Sequence, residues 1–318
     1  MNHDIAAIVV TFRSQKLIDR CLQSLIAEGV PSTNIWLVDN ASDDGTVNHV
    51  RENYGQVNII HNHENLGFAA ANNQALCHMT AKYVLLLNPD AWLNAEALER
   101  MVTVMEQDER IAIVGPSIVR QKQVEQSLLM RPRFWEAWFF LLSGMRAFET
   151  GGFSGKAVRG FPWQDVTDGD HVRGACMLVR QEAVTDVGLM DETFFLYFEE
   201  TEWCLRFRQH GWRVVIAPQA TAYHIGKASV RTQERLPSLE FMRSAILFWK
   251  KTMAWPAQVS LRVTLFFMVM VKWSLLLPVK SAKGQREWLW RVASLTVNPF
   301  GLPIVYNKAR RPSSWPKS

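Results

Sequence analysis

Four short apolar runs, Ile5 to Thr11, Ile35 to Val38, Val57 to Ile60 and Tyr83 to Leu87, alternate with helix-patterned segments, and this alternation constrains the fold most. In the first interval Leu17, Ile18, Cys21, Leu22 and Leu25 share one helical face. Strands and helices alternating at this length build βαβ units on a mainly parallel sheet. The fourth run ends abruptly in Asn88-Pro89-Asp90, a single carboxylate on a proline-stiffened turn. Ligands of open α/β sheets bind just beyond the carboxyl ends of the strands, so Asp90 marks a binding edge. The loop after the first strand reads Thr11-Phe12-Arg13-Ser14 where a dinucleotide site would need Gly-x-Gly-x-x-Gly, which disfavours that ligand.

Between the runs, the polar loop Asp39 to Thr46 can cap the helix that follows it, and the turn Asn65-Leu66-Gly67-Phe68 leads into a small-residue helix, Ala69 to Met79. After Gly115 the regularity weakens. Arg131 to Phe148 is rich in aromatic residues bordered by arginines, which suits either a core helix or an amphipathic element that meets lipid or an acceptor. Gly151 to Asp170 reads as a loop, Val172 to Val179 as a strand, and Thr201 to His210 as a helix with an acidic cluster at its start.

With 318 residues, 48% of them hydrophobic, the chain can bury the core of one large or two modest domains, which excludes a disordered protein. Cys21, Cys77, Cys176 and Cys204 are too scattered for a disulfide framework or a zinc cluster, and a reducing cytoplasm fits best. Residues 1 to 12 lack the basic and apolar regions of a cleaved signal peptide. Charge is divided unevenly: up to Ile225 there are 19 Lys and Arg against 27 Asp and Glu, and from Gly226 onward 16 against 3. An acidic body with a basic tail rich in Trp suits an anionic membrane surface better than nucleic acid. Val263 to Val271 is apolar but for Thr264 and is bracketed by Arg262 and Lys272, short of the ~20 residues that span a bilayer. An interfacial or re-entrant helix is expected there, with a helical cap on the preceding domain as the alternative. Trp273, Trp288 and Trp290 beside Lys280, Lys283 and Arg286 suit headgroup depth.

Three polar clusters end separate elements: Asp39 to Asp44, Asn88 to Asp90, and Glu199-Glu200-Thr201-Glu202. Any one alone reads as a helix cap. They occur, however, with Val9-Val10-Thr11-Phe12, Asn65-Leu66-Gly67-Phe68-Ala69-Ala70-Ala71-Asn72-Asn73, Gly174-Ala175-Cys176-Met177-Leu178-Val179-Arg180, Val187-Gly188-Leu189-Met190-Asp191-Glu192 and Phe195-Leu196-Tyr197-Phe198. In this order the set resembles the inverting family 2 glycosyltransferases of the GT-A fold, in particular the rhamnosyltransferase-like branch. The resemblance covers residues 5 to 225. It implies an α/β, Rossmann-like mixed sheet flanked by helices, with a catalytic domain over 1–230, its nucleotide-sugar half 1–115 and its acceptor half 116–230. Residues 231–318 would form a basic, Trp-rich, helical membrane-associating region.

The resemblance also assigns roles. Thr11 and Asp39 would meet a pyrimidine nucleotide, and the donor-binding set is Thr11, Phe12, Arg13, Asp39, Asn65, Gly67, Asn73, Asn88 and Asp90. Asn88-Pro89-Asp90 stands at the family's Asp-x-Asp position, so Asp90, with His224, would hold Mn²⁺ or Mg²⁺ under the donor diphosphate. Glu200 matches the base that deprotonates the acceptor hydroxyl, where Asp is commoner. Glu199, Glu202 and Asp191 are alternatives, Asp191 being suited to orient the acceptor, so Glu200 and Asp191 are the catalytic candidates. Gly174, Ala175 and Glu199 would line the acceptor side. Arg13 departs from the family's usual Asn and would either reach a donor phosphate or point outward. The implied enzyme moves a sugar, rhamnose from dTDP-rhamnose, or another sugar from a dTDP- or UDP-linked donor. Its acceptor would be polyprenyl-diphosphate-linked or a lipopolysaccharide, in cell-surface glycan synthesis at the cytoplasmic face of the inner (plasma) membrane. Deletion beyond about 240 would then release it from membranes and spare donor hydrolysis. A nucleotidyltransferase would need a triphosphate loop that Thr11 to Lys16 does not supply, and a non-catalytic membrane adaptor would not need Asp39, Asp90, Glu200 and His224 together.

Overall fold

The structure is a computed structural model that describes residues 4–121, 123–125, 127–130, 161–226, 236–279 and 283–299. Strands β1 (Ile5–Thr11), β2 (Ile35–Asp39), β3 (Asn58–His61) and β4 (Tyr83–Leu87) are joined by helices α1 (Ile18–Ala27), α2 (Thr46–Asn53) and α3 (Phe68–Leu76). There follow β5 (Ala91–Leu93), α4 (Ala97–Glu106), β6 (Ile111–Arg120), β7 (Gln123–Glu125) and β8 (Leu128–Leu129). From residue 161 the chain forms β9 (Thr167–Asp168), β10 (His171–Val172), β11 (Cys176–Arg180), α5 (Gln181–Val187), α6 (Glu199–Gln209) and β12 (Arg213–His224). Three helices close the described chain: α7 (Leu236–Thr252), α8 (Trp255–Leu275) and α9 (Lys283–Val297).

Among the described residues the main sheet runs β3-β2-β1-β4-β11-β6-β12-β5, with β7 on β6 and β9 on β12. Its first half is parallel, as the alternating pattern requires. The second half is mixed: β11 lies antiparallel between β4 and β6, β12 runs parallel to β6, and β5 antiparallel to β12. The expectation of a mainly parallel sheet therefore holds only up to β4. Successive residues of β1 feed opposite layers: Ala7 and Val9 join Leu22, Leu25, Met101 and Met105 on one face. Ile8 joins Ala71, Ala75, Trp203 and Phe207 on the other.

Several boundaries differ from the sequence-based expectation. Val172 to Val179 is not one strand. Val172 ends β10, which pairs with β8, and the chain leaves the ladder at Arg173 to Ala175 before β11 starts at Cys176. Helix α6 starts two residues earlier than expected, which places Glu199 and Glu200 in its first turn, where the helix dipole favours carboxylates. Helix α3 stops at Leu76, short of Met79. The segments Arg131 to Phe148 and Gly151 to Gly160, and Lys280, lie outside the described residues.

The apolar run Val263 to Val271 is the middle of a longer helix, the 21 residues of α8, which is long and apolar enough to cross a membrane by length and composition. Leu261, Leu265 and Val269 are buried against α7 and α9, whereas Val263, Phe267, Val271 and Leu275 form an exposed apolar stripe. Helix α7 is different in kind. Its Ala245, Phe248 and Trp249 share a core with Phe194, Phe198 and Leu205, so a cut near residue 240 removes part of the packing around α6. That shared core ties the tail to the half of the chain that carries α6.

Candidate active site

At the ends of β1 and β2, register places Thr11 beside Asp39, and the Thr11 hydroxyl donates to Asp39 Oδ1 at 2.9 Å. Asp39 Oδ2 accepts from the Ser42 backbone at 2.9 Å, and His61 Nε2 lies 3.6 Å from it. The two predicted nucleotide residues are thus brought together, both fully buried, while the exposed His61 approaches the same carboxylate. Phe12 is half-buried beneath the Arg13 guanidinium. Arg13 itself adopts a left-handed backbone and forms a two-pronged ion pair with Asp43 at 2.6 and 2.7 Å. Of the two orientations open to it, the structure has the cation engaged by that exposed loop.

Gly67, the residue before α3, has φ +87 and packs so closely that a Cβ would lie 2.3 Å from the Phe195 carbonyl oxygen. Only glycine fits. Asn65 accepts from the Gly67 N–H at 3.0 Å, and the Phe68 N–H donates to the Phe195 carbonyl at 2.8 Å. Asn73 is buried, and its amide donates to the Met190 carbonyl at 2.9 Å and to Glu192 at 3.1 Å. Its oxygen accepts from the Met190 N–H. Asn73 is therefore spent on placing the 190–192 segment, which is where the expectation of a direct donor contact departs from the geometry.

The strand β4 ends at Leu87. The Asn88 N–H donates to the Ala175 carbonyl, and a tight turn closes from the Ala91 N–H to the Asn88 carbonyl, both at 3.0 Å. That turn aims Asp90 at the end of β12: Asp90 Oδ1 lies 3.2 Å from His224 Nε2, and Oδ2 accepts from the Gly226 N–H at 3.1 Å. Burial, the largest influence, would raise the Asp90 carboxyl, but the hydrogen bonds and charge of His224 and Gly226 together hold it below the usual range. Arg120 donates to the Ile225 carbonyl and steadies the same corner.

Two successive non-glycine residues, Tyr197 (φ +72) and Phe198 (φ +68), are left-handed just before α6 and turn the chain sharply into that helix. Glu199, which follows, is buried, with one carboxyl oxygen lacking a hydrogen-bond partner; burial and the neighbouring Glu200 and Glu240 push its carboxyl up. Glu200 is half-buried beside Gly174, where a Cβ would meet its Cγ at 3.5 Å. Burial raises its carboxyl too, while Arg173 and the N–H groups of Thr201 and Gly174 pull the other way. Two of the three alternatives are occupied: Glu202 is paired with Arg206 at 2.9 Å, and Asp191 with Lys251 and Thr193, whereas Glu199 is more deeply buried than Glu200. Glu200 Oε2 accepts no hydrogen bond. A raised, half-buried carboxylate with a free oxygen is suited to take a proton from a hydroxyl group.

His61, Arg173 and Lys251 were not anticipated from the sequence. None lies in a recognisable motif, and each joins the site through chain segments distant in sequence.

A family model described as glycosyl transferase family 2 matches residues 6–158. That match covers just under half of the chain, which is similar to the family over this stretch. A low-salt glycan biosynthesis hexosyltransferase of Haloferax volcanii is 25% identical over 217 residues, 66% of this chain and 63% of that protein. An N-acetylglucosaminyl-diphospho-decaprenol L-rhamnosyltransferase of Mycobacterium tuberculosis is 24% identical over 245 residues, 70% of this chain and 76% of the relative. The match thus spans just under two thirds of the haloarchaeal protein. In fold, a mannosyltransferase from Pyrobaculum calidifontis, solved in complex with GDP-Man and Mn²⁺, superposes with a TM-score of 0.52 at 17% identity, covering 92% of this chain and 87% of that one. The fold is GT-A.

Among the described residues no group of three His, Cys, Asp or Glu side chains converges on a metal position. The adjoining Asp90 oxygen and His224 nitrogen nevertheless fit a divalent cation that takes its remaining ligands from substrate, since hard cations accept carboxylate oxygen and manganese accepts imidazole as well.

Proposed function

We propose that this glycosyltransferase moves a deoxyhexose, rhamnose from dTDP-rhamnose, onto a lipid-linked or polysaccharide acceptor with inversion at the anomeric carbon. The observation that carries the reading is the pairing of two dissimilar carboxylates. Asp90 is kept ionised beside His224, and Glu200 is raised by burial with an unpaired oxygen. One suits a cation and a diphosphate, the other a proton.

Asp90 and His224 would hold Mn²⁺ or Mg²⁺, and the cation would supply neutralisation of the charge on the leaving nucleoside diphosphate. Thr11, Asp39 and the 65–67 turn border the nucleotide end. Gly174 and Ala175 link the two carboxylates, because Ala175 is bonded to Asn88 while Gly174 abuts Glu200. Glu200 accepts the proton of the acceptor hydroxyl as its oxygen attacks, and Asp191 orients the acceptor. The N-acetylglucosaminyl-diphospho-decaprenol in the mycobacterial relative's name supports the lipid-linked choice. So does the exposed stripe of α8, which places Val263, Phe267, Val271 and Leu275 in a region of net positive charge, suited to the cytoplasmic face of an anionic membrane.

The test is a screen of nucleotide sugars for Mn²⁺- or Mg²⁺-dependent release of nucleoside diphosphate, with the anomeric configuration of the product read by NMR. Release of pyrophosphate, or turnover unaffected by chelation, would overturn the reading.

A further inference from the structure

The segment from Asp191 to Phe198 carries the turn into α6, and it is held from two sides. On the donor side, the Phe195 carbonyl accepts from Phe68 and closes over Gly67. On the opposite side lies α7. Ser244 donates to the Leu196 carbonyl at 2.8 Å, and Lys251 Nζ pairs with Asp191 Oδ2. Phe241 meets Tyr197 and Phe198 with ring centroids 5.5 and 5.3 Å apart, and Phe248 meets Phe198 at 5.1 Å.

An exposed ion pair on a surface helix ordinarily contributes little. The Lys251 pair differs in three respects. Asp191 is only 18% exposed, so its charge is partly desolvated. The other oxygen of Asp191 accepts from both the backbone and the hydroxyl of Thr193, so the carboxylate shapes the 191–193 turn. The pair also joins segments far apart in sequence, across the expected boundary between the catalytic and tail regions. Left-handed backbone at two bulky residues persists only where the surroundings over-determine it, and α7 supplies those surroundings.

We infer that α7 is a working part of the active site and that Lys251 is a positioning residue: through Asp191, with Ser244 beside it, it fixes the turn that presents Glu199 and Glu200. The inference rests on the reading of Glu200 as the base. Lys251 touches neither the Thr11–Asp39 pair nor the Asp90–His224 pair, so its effect falls on turnover and not on donor binding.

The experiment compares full-length wild type with Lys251→Met, Lys251→Arg and Ser244→Ala. Turnover is followed as nucleoside diphosphate release from the donor found active in the nucleotide-sugar screen. Backbone exchange is followed by mass spectrometry over peptides 191–205 and, as a control, β1 and β4. Lys251→Met should lower kcat roughly tenfold or more with donor KM changed less than about twofold, while exchange rises in 191–205 alone. Lys251→Arg should recover most of both, and Ser244→Ala should act in the same direction if Lys251→Met fails to fold. Wild-type kcat in Lys251→Met, or a loss that Lys251→Arg does not relieve, overturns the proposal. If wild type turns over no nucleotide sugar, the functional reading fails on its own, and the exchange comparison decides whether Lys251 holds the turn.

Discussion

At the residue scale the site depends on giving similar side chains different surroundings. Asp90→Ala removes the oxygen facing His224, so metal-dependent turnover should fall on the order of 10²-fold or more with the thermal midpoint nearly unchanged. Full activity in that variant, measured with and without chelator, would dismiss the metal role. Glu200→Gln keeps the shape and loses the proposed base, for which a fall of about 10²- to 10⁴-fold is expected. Glu199 gives a stability prediction. Its folded carboxyl is raised above the unfolded value, so the stability tied to its protonated form is full below the ordinary glutamate range and is lost as pH rises through the raised value. Glu199→Gln should therefore gain in melting midpoint relative to wild type as pH goes from about 5 to about 8, and a constant gap across that range would refute the assignment. Asp90, Glu200 and His224 could be picked out because each falls in a motif at the end of an element. Lys251 could not, since nothing in Trp249-Lys250-Lys251-Thr252 says that it will face a carboxylate sixty positions earlier.

At the element scale, strands buried on both faces announced themselves as apolar runs, and β1, β2 and β4 fall where those runs do. The strands β6 and β12 were hidden by breaks in their own patterns. Gly115-Pro116 interrupts β6, and the sheet absorbs the proline where β12 slips register between Ala217 and Thr221. The division between β10 and β11 was hidden for another reason: the excursion at Arg173 to Ala175 serves the approach of Gly174 to Glu200, a tertiary demand with no local signature. Gly67 is the most vulnerable single position between elements. Its left-handed φ and the 2.3 Å approach of Phe195 mean that Gly67→Ala should cost about 2–3 kcal/mol or more in denaturant unfolding. Loss of sugar transfer should accompany it, since the displaced strand of chain is the one that leads to Glu200.

At the scale of the whole molecule, the acidic body and the basic tail do not part cleanly at residue 230. A chain ending at 235 should lose soluble yield because Phe194, Phe198 and Leu205 lose the apolar cover of α7. Full-length protein should bind vesicles containing anionic lipid more tightly than neutral ones, less so at high salt. Phe267→Asp with Val271→Asp should weaken that binding roughly tenfold or more, and unchanged partitioning would remove the stripe from the membrane model. The sheet topology also fixes an order of events during synthesis. Leu87 waits for Cys176 as its ladder partner, and Asp90 waits for His224. A growing chain therefore emerges from the ribosome with the edge of β4 open, an aggregation hazard until much later sequence arrives. Because α7 follows later still, prematurely terminated products should bind no acceptor productively, and activity should appear only once α7 has itself been made.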